Sequence, residues 1–151
     1  MSALIPRSVF ALFVLASMAG CERDPGNRIH GEVARLQDPS LITRGKALFA
    51  RHCASCHGIR AEGSPDWRHR DANGFFPPPP LNGTAHAWHH PLQDLRNTIR
   101  RGSPPGQGRM PAWGGARSDE DIDALIAWIQ SLWSAEVYAA WLEIDQRARK
   151  R

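Results

Sequence analysis

Cys53-Ala54-Ser55-Cys56-His57 is a C-x-x-C-H pentad, and its reading decides the rest of the chain. Two thiols at this spacing can form thioethers with the two vinyl groups of one planar haem, and the adjacent histidine is then held beneath the iron as a proximal ligand. A bare C-x-x-C also serves as a zinc half-site or a redox dithiol. Neither fits here, because no second C-x-x-C follows and no βαβ pattern surrounds the motif.

Upstream, Asp38-Pro39-Ser40 has the form of a helix start, with Asp38 as N-cap and Pro39 at the first helical position. The spacing predicts a helix to about His52, with Leu41, Leu48 and Phe49 on one face and Gly45 permitting close approach of a second element. Downstream, residues 58–78 read as a loop that enters the stiff run Pro77-Pro78-Pro79-Pro80. Leu92, Leu95 and Ile99 at helical spacing predict a second helix from Pro91 to Gly102, followed by a Pro/Gly-rich loop carrying Met110-Pro111. Ser118-Asp119-Glu120-Asp121 resembles a capping box. The helix it opens should turn Ile122, Leu125, Ile126, Ile129 and Leu132 one way, with Trp128 and Trp133 flanking that stripe. Val137, Tyr138, Trp141, Leu142 and Ile144 then predict a terminal helix docked on the domain. No segment carries a strand pattern, so the expected class is all-α with long loops. Loops of this length argue against a compact domain unless a large apolar cofactor occupies its centre.

The third cysteine, Cys21, follows one basic residue, an apolar run (residues 8–17) too short to span a bilayer, and the small residues Ala19-Gly20. This resembles a bacterial lipoprotein signal whose cysteine becomes the acylated first residue. The alternative is an ordinary cleaved signal peptide with Cys21 a bystander, and either reading exports the chain. Export agrees with thioether attachment, which in bacteria occurs outside the cytoplasmic membrane. Residues 1–20 are expected to be the signal and 21–38 a polar tether. Removing the signal takes away one cation, Arg7, and leaves 131 residues with 18 Lys+Arg against 15 Asp+Glu. That is enough for one domain with its own core, mildly basic, and without the dense cationic stripe of a nucleic-acid binder. The terminal cluster Arg147, Arg149, Lys150 and Arg151 suits a helix C-terminus, and it could equally meet anionic lipid or an acidic redox partner.

From about residue 41 to 133 the chain resembles the class I c-type cytochromes. Their G-x-x-x-F helix followed by C-x-x-C-H-G is matched by Gly45 to Phe49 and Cys53 to Gly58. Their aromatic-aliphatic pair on a crossing C-terminal helix is matched by Trp128-Ile129, and their P-x-L-x-G segment by Pro79-Pro80-Leu81-Asn82-Gly83. The resemblance implies a cytochrome c fold over 39–133, with 134–151 as a C-terminal helical extension. It implies one covalent haem c, with Gly45 meeting Trp128, the Pro79 carbonyl accepting a hydrogen bond from His57, and Leu81 touching the haem. It also implies a sixth ligand from Met110, the sole methionine outside the signal and 53 residues after His57. Trp88 could bond a haem propionate through its indole, as a tryptophan does in some relatives, or simply be buried. His86, His89 and His90 are read as solvated, with copper binding or propionate tuning as the alternative.

The implied activity is one-electron transfer by an exported monohaem carrier, anchored on the periplasmic side through Cys21 and not itself an enzyme. Its donor and acceptor would be unidentified redox proteins. The rivals are a haem enzyme, sensor or copper-handling protein with a labile sixth position, and a subunit that feeds electrons into a larger oxidoreductase.

Overall fold

The computed structural model describes residues 36–151. The signal, Cys21 and most of the tether lie outside them. The described residues hold helices, turns and loops only. Helix α1 spans Pro39–His52 and begins where the sequence predicts, with the Asp38 side chain accepting the Ser40 N–H at 2.7 Å and Pro39 at the start. It runs into one helical turn, Ala54–His57, through Cys53, whose N–H still donates to Phe49 O at 2.8 Å. A 3₁₀ turn covers Ala87–His89, and α2 spans Leu92–Arg101. Helix α3 spans Asp119–Ser131, with the Ser118 hydroxyl accepting the Asp121 N–H at 3.2 Å, and α4 spans Ala135–Arg149.

The frame is the crossing of α1 and α3. A Cβ on Gly45 would overlap the carbonyl group of Ala124 and sit 2.9 Å from the Cβ of Trp128, so only glycine lets the two backbones approach this closely. Phe49 and Trp128 fill the space beside it, their ring centroids 4.2 Å apart. Outside the crossing, Arg44 pairs with Asp121 at 2.8 Å. Helix α2 packs on α3 as well. The bidentate pair of Arg96 with Asp123, at 2.7 and 3.0 Å, joins these two helices in a nearly buried position.

Three details depart from the sequence reading. Every residue of α3 from Ile122 to Gln130 is buried, including Asp123 and Gln130, because helices cover it on more than one side. Leu132, expected in the apolar stripe, caps the helix and is 36% exposed, and Trp133 is buried in its stead. Leu36, assigned by composition to the tether, is 1% exposed and belongs to the core, so the domain reaches at least to this residue. No helix among the described residues is long and apolar enough to cross a membrane.

Candidate haem-binding site

The segment after the pentad folds back on the proline run. Gly63 N–H donates to His57 O at 2.7 Å, Ser64 N–H to Pro78 O at 2.8 Å, and Leu81 N–H to Ala61 O at 2.8 Å. Gly63 has a φ of +61° and lies flat on the Pro79–Pro80 peptide, where a side chain would collide. These ties bring the Pro79 carbonyl to 3.0 Å from His57 Nδ1, across 22 residues of sequence. A carbonyl only accepts, so Nδ1 carries the proton and Nε2 keeps its lone pair. His57 is buried, and that burial pushes its pKa below the usual imidazole value despite the opposing Pro79 bond. Burial favours the neutral imidazole, and the Pro79 bond selects the tautomer whose Nε2 can ligate a metal.

Cys53 is half-buried and Cys56 exposed, and neither is in a disulfide. Burial, and secondarily the neighbouring Cys56, pushes the Cys53 thiol up to about 11. A redox dithiol needs the opposite shift, toward thiolate. A thioether carries no charge and suits the environment that Cys53 occupies.

Cys53, Cys56, His57, Pro79, Leu81 and Met110 all line one cavity of about 820 Å³. Leu95 and Ile99 of α2 and Ile126 and Ile129 of α3 supply apolar walls. Met110 is fixed at its backbone: its N–H donates to Ser103 Oγ at 3.2 Å and its carbonyl accepts from Ser103 N–H at 3.0 Å. The loop beyond it is tied to the end of α2 by Trp113 N–H to Ile99 O at 3.0 Å. A cavity of this size, apolar over most of its lining, with a buried imidazole lone pair, a thioether and two thiols, fits a covalently attached tetrapyrrole.

Several wall residues carried no signal in the analysis of motifs. Trp67, Arg68, Phe75, Phe76, Arg109 and Trp113 line the cavity. Arg68 stacks over Trp67 at 4.5 Å, Arg70 over Phe76 at 4.3 Å and Arg109 over Phe75 at 4.6 Å. The recurrence of arginine beside aromatics in residues 67–76 was the available clue. Trp88, in contrast, does not line this cavity. It lies on a second pocket beside α4, edge-on to His89 with ring centroids 3.9 Å apart. The three histidines also part company: His86 and His90 are on the cavity wall and His89 is on the second pocket. His86 stacks on Trp67 at 4.9 Å, so it is not merely solvated. Among the described residues no group of three or more His, Cys, Asp or Glu side chains is placed to hold a metal ion.

A helical frame closed by the Gly45 crossing, with a C-x-x-C-H turn opening onto an apolar cavity, defines a class I c-type cytochrome with haem c as its cofactor. The sequence profile of cytochrome c oxidase, cbb3-type, subunit III matches residues 40–129, and the chain belongs to that family. Among its relatives are the cbb3-type cytochrome c oxidase subunits FixP of Azorhizobium caulinodans, 32% identical over 105 residues, and FixP of Rhizobium meliloti, 31% identical over 98 residues. The alignments take in 64% and 65% of this chain but only 32% and 30% of those proteins, so the chain spans about a third of the length of these relatives. Cytochrome cL of Methylophaga aminisulfidivorans shares the fold, with a TM-score of 0.55 at 22% identity over 91% of this chain and 85% of that one.

Proposed function

We propose that this chain is a monohaem one-electron carrier. In this reading Cys53 and Cys56 hold the haem, His57 is the proximal ligand, Met110 the distal ligand, and Pro79 and Leu81 the supporting contacts. The observation that carries it is the His57–Pro79 hydrogen bond of 3.0 Å on the wall of a cavity that Met110 also lines. Bound there, the haem supplies a one-electron couple. The chain's own part is to keep His57 neutral and oriented, offer a soft thioether that favours ferrous iron, and surround the site with apolar side chains. With His57 and Met110 both holding the iron, the group would offer no open site to a substrate, and the chain would carry electrons rather than catalyse a reaction on its own.

The names of its relatives favour a particular employment, as the domain that passes electrons within or to a terminal oxidase. We further propose that the chain is exported, with residues 1–20 as signal, and anchored at the periplasmic face by lipid on Cys21. A polar tether then leads into the cytochrome domain, and α4 forms a C-terminal extension. Each acyl methylene buried in a bilayer contributes about 0.8 kcal/mol, so two or more chains hold where one does not.

The test is the visible spectrum of purified holoprotein in both oxidation states, with fractionation of Cys21→Ser. Six-coordinate spectra with a ferric sulfur-to-iron charge-transfer band, and release of Cys21→Ser from membranes, are expected. A high-spin or water-ligated ferric spectrum would replace the carrier with the open-site rival, and unchanged membrane association of Cys21→Ser would remove the anchor.

A further inference from the structure

Helix α4 follows residue 129, where the match to the family's sequence profile ends. Its two buried side chains are Trp141 and Asp145, 0% and 1% exposed. Neither lines the haem cavity. Both are instead bonded to the backbone of the segment that does. Trp141 Nε1–H donates to His90 O at 3.0 Å, and Asp145 Oδ1 accepts the Leu92 N–H at 2.8 Å. The other carboxyl oxygen of Asp145 is held by Arg149 at 2.7 Å. Asp145 thereby supplies what α2 lacks locally, because Pro91 at its N-cap position has no side-chain acceptor. From the same side, Trp133 Nε1–H donates to Leu81 O at 2.8 Å and its ring meets Trp141 edge-on. Leu81, Ala87 and His90 face the cavity from the segment pinned in this way.

We propose that Trp141 and Asp145 are positioning residues for the haem: the C-terminal extension is a brace that fixes the 81–92 wall and so sets how much water reaches the cofactor. The inference rests on the haem-carrier reading. Ferric haem carries one more positive charge than ferrous haem and gains more from water, so a loosened wall lowers the potential.

The experiment uses full-length holoprotein and compares Trp141→Phe, Asp145→Ala and Asp145→Asn with Leu142→Ala, a packing change on the same helix. Reduction potential and amide exchange at Leu92 are read for each. Trp141→Phe and Asp145→Ala should shift the reduction equilibrium at least threefold toward ferric, about 28 mV at about 59 mV per tenfold for one electron. Asp145→Asn, which keeps an acceptor for Leu92, should shift it less, and Leu142→Ala should not shift it. Leu92 protection should fall with the potential. An unchanged potential in Trp141→Phe and Asp145→Ala, or an equal shift in Leu142→Ala, would overturn the brace. Wild-type protein without covalent haem would instead overturn the reading beneath it.

Discussion

Met110 is the residue on which carrier and open-site chemistry divide. Its backbone is tied on both sides to Ser103, so truncating the side chain should leave the loop in place. Met110→Ala should keep its haem, because the thioethers at Cys53 and Cys56 do not depend on the distal side. It should bind carbon monoxide or cyanide and lose the charge-transfer band. Its potential should fall by more than the about 59 mV that marks a tenfold change for one electron. Unaltered potential and ligand binding would show that another group is the distal ligand. Asp71 lines the same cavity. Its carboxylate accepts the N–H groups of Phe75 at 3.0 Å and Asn73 at 2.9 Å, and these bonds, Phe75 first, hold its pKa below the ordinary 3.8. A depressed carboxylate stabilises the fold above its unfolded value and stops doing so as pH falls through the folded value. Acid titration followed by haem absorbance should therefore show a step below about pH 3.8, the ordinary Asp value, that Asp71→Asn lacks.

At the scale of elements, the α1–α3 crossing is the least forgiving contact. At Gly45 an added methyl meets backbone of Ala124, which cannot rotate away, so Gly45→Ala should destabilise by about 3 kcal/mol or more. Gly115 is the matched reference, since a Cβ there meets nothing within 4 Å and Gly115→Ala should be near neutral. Comparison of denaturant midpoints checks both, and a small effect at Gly45 would mean that the helices can separate without loss. The helix starts at Asp38 and Ser118 were legible because a cap is a bond between residues two or three apart. The start of α2 had no such signal. Its extra acceptor, Asp145, is 53 residues away.

For the whole molecule, the pair of Arg96 with Asp123 locks the cavity-lining α2 onto α3 with side chains only 15% and 6% exposed. Arg96→Met leaves a buried carboxylate without this partner and should cost about 3–5 kcal/mol, whereas Arg96→Met with Asp123→Leu should recover much of that loss. Equal midpoints for the single and double variants would show that the pair acts only through its surface. The haem pentad and the helix order were legible in the residues themselves, and the family resemblance implied the Gly45–Trp128 crossing and the His57–Pro79 bond. Each rests on a local pattern, or on a family motif that preserves a local pattern. Which aromatics line the cavity was settled by tertiary packing. Trp88 left the cavity, whereas Trp67 and Trp113 joined it, because a loop residue's facing depends on which distant strand of chain it packs against. Tertiary packing likewise decided that α3 is covered along its whole central length and that Leu36 and Asp145 are buried. Helical periodicity can mark one apolar face, but the second covered face comes from helices that arrive from elsewhere in the chain.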